Sequence, residues 1–585
     1  MLYSKLADIY KQLESTSKRI EKTGIISNFL KSVHKDDLKN IIYLLQGRVF
    51  PQWDERKLGM SSKLLVKAIA KSTGANTKEI ENLWTNKGDL GLAAEELTEN
   101  KKQVSLFSTK LTLKKVIDNI KKLTELEGQG TVNRKTSLIA ELLGSASALE
   151  AKYIVRTVLE ELRTGVGDSM VRDSLVWTYY PGVEGITEDR DKKETKDGRE
   201  KFNSYVQEVQ NAFDVTTDFG TIVQTLDQKG PEALKKLTLT VGKPIKVMLY
   251  TKVEGIKEGF EVVGEPAMIE PKIDGFRMQI HRNKDNIALY TRRLEDVTKQ
   301  FPDVVRAVKE NTKSWDFILD AEIIGIDNKT KRIVSFQKIS QRIKRKHDIQ
   351  RLVKELPVVV NIFDAMEING ENLINTPLEQ RRKKIKAIVK DKKDVIELIE
   401  QLITDDPKKA EKYYRDCLDK GHEGVMMKSI QGIYKPGKRG GYGVKIKPVM
   451  ESLDLVITAA DWGEGKRSQW LASFTLACRD GDKLLDMGKV GTGIKEKIEE
   501  GVSFHELTEE LKPLILSEKG KTVKVKPKVV VEIMYEEVQK SPTYSSGYAL
   551  RFPRVHRLRD DKGVSDISTL SEVKKLYNLQ RGRNK

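Results

Sequence analysis

The chain has 585 residues, too many for a single hydrophobic core, which stops growing near ~250–300 residues, so about three or four domains are expected. Its 105 Lys+Arg against 86 Asp+Glu leave a formal charge of +19, which suits a polyanionic partner such as nucleic acid or a protein that is simply basic. The two cysteines, Cys417 and Cys478, exclude a four-cysteine zinc site and a disulfide framework and point to a reducing, cytoplasmic setting.

The start, MLYSKLADIYKQLE, has charges spread through it and is not expected to be a signal peptide. No apolar run approaches the ~18 residues of a membrane span. Residues 1–235 read as helical: LIAELLGSASALEAKYIVRTVLEELRTG repeats apolar residues at three- and four-residue spacing, with glycines as punctuation. LEELRTGVGDSMVRDSL breaks one helix at Gly165–Gly167 and starts another. Amides at that new N-terminus suit a phosphate, or the segment is an ordinary connection between helices. Residues 236–449 change to short β-rich runs alternating with a few helices, such as PLEQRRKKIKAIV and the stretch around AEKYYRDCLDKG. Residues 450–585 carry strands again (LDLVITAADW, ASFTLACRDG, KVVVEIMYEE) and end in a basic tail. The order is all-α, then α+β, then a small β-rich domain.

Chemistry concentrates from Glu270 onward. In Glu270-Pro-Lys-Ile-Asp-Gly-Phe-Arg277, a turn at Asp274–Gly275 leaves Lys272 beside Arg277. Phe276, Met278 and Ile280 share one strand face and Arg277, Gln279 and His281 the other. A lysine amine is a poor nucleophile near its ordinary pKa of ~10.4, and burial or a cationic neighbour frees its lone pair. FILDAEIIG puts Asp320 and Glu322 on one face, opposite Leu319, Ala321 and Ile323. Magnesium beside phosphates would neutralise that pair, or the strand is an edge with a solvated face. Phe363 suits either stacking on a purine or a place in the core, and Glu423 precedes a strand. Lys445 and Lys447 share a strand face just after Arg439, which a bound phosphate would compensate. Arg559, Asp561 and Lys562 lie near the end of the chain, in what is otherwise a charge run.

The ordered set KIDG, DAEIIG, FDAM, EGVMMK, VKIKP and RDDK resembles the covalent nucleotidyltransferases: DNA ligases, RNA ligases and mRNA-capping enzymes. The resemblance implies that Lys272 attacks the α-phosphate of ATP and that Glu270 helps read the adenine. It implies that Arg277 and Arg292 contact AMP or the nick phosphate, that Glu322 binds ribose or places a metal, and that Phe363 stacks on the base. By the same resemblance Glu423 supports Mg2+, Arg439, Lys445 and Lys447 contact phosphates, and Arg559 and Lys562 orient pyrophosphate. One departure is Gly-Tyr-Gly-Val at 441–444, where many members carry a tryptophan; it bears on the shape of the chain there, not on the lysines.

The flanks resemble the ATP-dependent DNA ligases of archaeal and eukaryotic type. That implies a helical DNA-binding domain, an adenylation domain and a β-barrel OB-fold, acting as a monomer on nicked duplex DNA in replication, repair and recombination. With two cysteines, the zinc module of NAD-dependent ligases is absent, which makes ATP the expected nucleotide. Lys102–Phe107 resembles a sliding-clamp docking motif anchored by Gln103, Leu106 and Phe107, or it is a loop tucked into its own domain.

Overall fold

The computed structural model describes residues 1–54, 56–101, 110–186, 196–327, 333–334, 336–345, 348–437, 439–448, 451–496 and 501–580. Gln103, Leu106 and Phe107 lie outside the described residues. Two compact units emerge, Met1–Ala410 with Met426–Lys445, and Glu411–Val425 with Ile446–Lys585.

The first unit begins with helices, from Tyr3–Ser15 to Phe219–Lys229. Their starts are written in the sequence. Ser61, Asn76, Asp89, Thr112 and Ser147 each accept a backbone N–H two or three residues into the helix they cap. The apolar faces meet in one core that includes Tyr3, Leu6, Tyr10, Ile154, Leu175 and Phe219. Helix α1 (Asp168–Tyr179) starts where the Gly165–Gly167 break was expected, with Gly167 as its N-cap. Its first residue, Asp168, is held by Gln46 Nε2 at 2.9 Å and Lys246 Nζ at 2.7 Å, so a phosphate drawn to this terminus would also meet a carboxylate.

Two sheets follow in the same unit. The first has the order β1 (Leu249–Val253), β9 (Arg439–Ile446), β8 (Val425–Ser429), β2 (Ala267–Pro271), β7 (Leu402–Thr404). The second runs β4 (Asn286–Thr291), β3 (Phe276–Asn283), β5 (Asp316–Ile326), β6 (Val358–Ile368). Phe276, Met278 and Ile280 of β3 pack with Phe317, Leu319, Ala321 and Ile323 of β5 in one core. The opposite faces carry Arg277, Gln279 and His281, and Asp320 and Glu322, as the alternation requires.

The segment leading into β1 is laced to the polar face of β3. Gly242 N donates to His281 Nδ1 at 3.0 Å and Tyr290 Oη donates to Gly242 O at 2.7 Å. Ile245 N donates to Gln279 Oε1 at 3.2 Å, and Arg277 Nη1 donates to Met248 O at 2.6 Å.

In the second unit β10 (Leu453–Trp462) is the hub. It pairs along its length with β11 (Leu471–Asp480), and on its other edge with β13 (Val530–Met534) near its start and β12 (Thr522–Val525) near its end. Leu453, Leu455 and Ile457 point to a core shared with Phe474, Leu476, Met487 and Val531. Two helices, α2 (Phe504–Leu511) and α3 (Leu570–Leu579), were not expected from the strand pattern, and the second replaces part of the expected basic tail. Among the described residues no helix is long and apolar enough to cross a membrane, and Cys417 and Cys478 are buried and form no disulfide.

Candidate active site

Lys272 follows β2 directly and is half-buried. The turn after it lies hard against β5: a Cβ on Gly275 would come within 2.3 Å of Ile323 O and 3.0 Å of Glu322 Cγ. Only glycine permits that approach. It sets the loop bearing Lys272 beside Glu322, which is half-buried and pairs in register with Arg277.

Glu270, on β2, is 1% exposed. One of its oxygens accepts from Lys428 Nζ at 2.5 Å; among the described residues the other, Oε1, is buried with no hydrogen-bond partner. Lys428 lies on the adjacent strand β8, and its ammonium is 4.8 Å from the ring centroid of Phe363 and 5.8 Å from that of Tyr250. Burial would lower the Lys428 pKa, but Glu270, Tyr250 and Asp364 outweigh it and hold it above the ordinary lysine value.

Phe363 is buried among Ile273, Ile324, Val359 and Ile399. It falls where the β5–β6 register steps, Asp320 facing Asp364 and Ala321 facing Ile362, so it is the extra residue of a bulge. Bulges re-aim side chains, and this one sets Phe363 against both Lys428 and Arg277, whose guanidinium is 5.2 Å from its ring centroid. The next residue, Asp364, is gripped by Arg381 Nε at 2.7 Å and Nη2 at 3.0 Å. Burial alone would raise the Asp364 pKa; Arg381 and Lys428 hold it below the usual carboxylate range.

Asp320 departs from its expected partner. Its fully buried carboxylate takes Arg277 Nε at 2.9 Å and Nη2 at 2.5 Å, and Tyr434 Oη at 2.9 Å. A guanidinium and a phenol thus neutralise it, where the sequence suggested a metal. Arg277 spends most of its donors on Asp320, Met248 O and Tyr434. Burial would lower its pKa, but Asp320 holds it well above the free value, so it stays charged.

Arg292, in the turn after β4, and Arg439, opening β9, are exposed. Strand β9 runs unbroken through Gly441-Tyr442-Gly443, which answers the question raised by the missing tryptophan, and Lys445 is half-buried on it.

In the second unit Glu423 is 8% exposed and pairs with Lys447 at 3.0 Å, while Arg551 Nη1 stands 3.9 Å away. Lys447 also meets Glu536 at 3.3 Å, so its charge has protein partners as well as any phosphate. Gly424, at φ +136°, allows the chain to turn there: a Cβ would lie 2.1 Å from Ile446 O. Arg559 and Lys562 share Asp454, at 3.0 and 2.7 Å, and Arg559 also forks onto Asp561. That fork draws the exposed Asp561 carboxyl down to about 2. Any pyrophosphate held by Arg559 and Lys562 must therefore compete with Asp454.

Glu322 in the first unit and Glu423 in the second each carry carboxylate oxygens, the hard kind of donor that magnesium takes. Among the described residues no group of three or more His, Cys, Asp or Glu could hold a metal.

Lys428, Tyr434 and Arg381 were missed by sequence reasoning as members of this site. A lysine inside the apolar run GVMMKSI was the one available signal, since lysine is almost never fully buried unless paired.

The chain matches the models for the DNA ligase N terminus over residues 2–176, the ATP dependent DNA ligase domain over 247–447 and the ATP dependent DNA ligase C terminal region over 467–562. It is 44% identical to a DNA ligase of Nanoarchaeum equitans, covering 100% of this chain and 99% of that one. It is 39% identical to a DNA ligase of Thermococcus fumicolans, with 99% of each covered. The solved structure named Pmar-Lig_Pre shares the fold, with a TM-score of 0.56 at 17% identity over 95% of this chain and 99% of that one. The chain belongs to the ATP-dependent DNA ligases, a family whose general activity is sealing nicks in DNA and in which ATP binding and DNA binding are typical.

Proposed function

We propose that this ligase seals 5′-phosphate/3′-hydroxyl nicks in duplex DNA through an AMP carried on Lys272. The Lys272 Nζ lone pair attacks the α-phosphorus of ATP; the P–N bond forms, the α,β bridging P–O bond breaks, and pyrophosphate leaves as Nζ loses a proton to solvent. The DNA 5′-phosphate then displaces Lys272 from that phosphorus, and lysine regains its proton. Finally the 3′-hydroxyl attacks the 5′-phosphorus, AMP departs, and the hydroxyl proton goes to solvent. Positioning and charge neutralisation supply most of the catalysis in such transfers.

The observation that carries this reading is the unpartnered Glu270 Oε1, a buried acceptor two residues before Lys272 and in need of a donor. The adenine amino group is such a donor. Phe363 is assigned to the base, Arg277 and Arg292 to AMP or the nick phosphate, Glu322 to ribose or metal, and Glu423 to metal. Mg2+ at these carboxylates would offset the negative charge brought together by nucleotide and DNA. Arg439, Lys445 and Lys447 are assigned to phosphates, and Arg559 and Lys562 to the leaving pyrophosphate. The division at 1–235, 236–449 and 450–585 into DNA-binding, adenylation and OB-fold domains belongs to the same reading. So does service in replication, repair and recombination, by a monomer in the cytoplasm at the nucleoid.

Nick sealing tests it. A Lys272→Ala variant is expected to lose sealing of an ordinary nick with ATP, yet to seal a nick whose 5′-phosphate already carries AMP. Ordinary sealing by that variant would refute the assignment. Gln103, Leu106 and Phe107 are proposed as anchors for a sliding clamp. A Leu106→Ala/Phe107→Ala double variant should lose clamp affinity in a direct binding measurement, and unchanged affinity sinks that idea.

A further inference from the structure

Among the buried ion pairs of the first unit, Lys428–Glu270 has one anionic oxygen left over, and it stands two residues from the nucleophile. Among the described residues, three other buried pairs of this unit are closed. Asp320 gives both oxygens to Arg277 and the second also to Tyr434, and Asp364 gives both to Arg381. Asp89 gives both to Arg156. A buried carboxylate oxygen without a donor is costly, and a pocket that keeps one is complementary to a ligand that brings the donor.

Lys428 fixes which oxygen that is. Its Nζ is 3% exposed at the side chain and bonded to Glu270 Oε2, and the faces of Phe363 and Tyr250 flank it at 4.8 and 5.8 Å. Strands β2 and β8 are neighbours in one sheet, so both partners stand on rigid backbone. The pair joins that sheet to Phe363, the aromatic assigned to the base.

We infer that Lys428 is a positioning residue for nucleotide choice: by claiming one oxygen of Glu270 it leaves the other to accept only from a purine that carries a 6-amino group. This rests on the proposed adenylation of Lys272 and goes beyond it, since it concerns how the base is chosen. A purine with a 6-oxo group would set one acceptor against another, and a purine with hydrogen at position 6 would leave Oε1 unmet. Without Lys428, Glu270 is a lone buried carboxylate that is free to rotate away from the base, and the preference for the amino group goes.

The test is the second-order rate constant for labelling the full chain, measured with ATP, inosine triphosphate and purine riboside triphosphate. The wild type is expected to favour ATP over the 6-hydrogen analogue by about 10- to 100-fold, the worth of a hydrogen bond to a charged group, and to reject the 6-oxo analogue at least as strongly. In Lys428→Met the ratio of ATP to the 6-hydrogen analogue should fall to within about threefold of one, while Lys428→Arg, which keeps the charge, keeps at least about tenfold. A purely structural role would slow all three nucleotides in parallel, and an unchanged ratio in Lys428→Met overturns the inference. If that variant does not fold, Lys428→Gln carries the same comparison. A wild-type ratio near one overturns the inference by itself. If no nucleotide labels the wild type, the adenylation reading falls and this inference with it; if all three label it alike, covalent labelling stands, while this inference and the assignment of Glu270 to the adenine amino group both fall.

Discussion

Asp320 shows what a single charge does in this enzyme. It is fully buried, and its attraction to Arg277 repays desolvation only because the fork is bidentate and Tyr434 adds a third bond. Removing the carboxylate strands a guanidinium that is 14% exposed. Asp320→Ala is expected to destabilise the adenylation region by about 3–5 kcal/mol, read from its denaturant unfolding transition; a loss below about 1 kcal/mol would show that the pair is not what holds β3 to β5. The alternation of faces in FRMQIH and ILDAEII was legible in the sequence because period two is a local property. The partner of Asp320 was not, since Arg277 stands 43 residues away and Tyr434 114. The same holds for Lys428 and Glu270, 158 residues apart. The candidate site was thus readable as a set of motifs, while its internal pairing required the fold.

At the scale of elements, the laced segment before β1 makes a prediction about pH. His281 on β3 accepts from Gly242 N through Nδ1, and its Nε2 faces Gln279 Oε1 at 3.3 Å, an arrangement for the neutral ring. Burial pushes its pKa down to about 3. The folded value lies below the unfolded one of ~6.5, so the unfolded chain binds the extra proton between them. His281 therefore costs nothing above pH ~6.5, and stability falls by about 1.4 kcal/mol per unit as pH drops from there toward 3. His281→Gln keeps an acceptor without the titration. Its melting temperature should fall less steeply than that of the wild type between pH 6.5 and 5, and parallel slopes would contradict the account. The short helices α2 and α3 were overlooked because each spans only two or three turns inside a strand-rich region. Their signals were nevertheless present, as the capping boxes Ser503/Glu506 and Thr569/Glu572.

For the whole molecule, an excess of 19 positive charges belongs to a chain that matches DNA ligase models over residues 2–176, 247–447 and 467–562. Charge of this kind holds a duplex by its phosphates without reading sequence, and its contribution weakens as salt rises. The order of helical, α+β and β-rich regions was legible from composition and period, because each region repeats its own pattern over many residues. The chemistry hangs on one bond. Incubate the wild-type chain with ATP and Mg2+, digest it at a pH that spares phosphoramidates, and map the AMP by mass spectrometry. The account requires one AMP, on the peptide carrying Lys272 and lost on mild acid treatment; AMP on any other residue, or none on a chain that seals nicks, would contradict it.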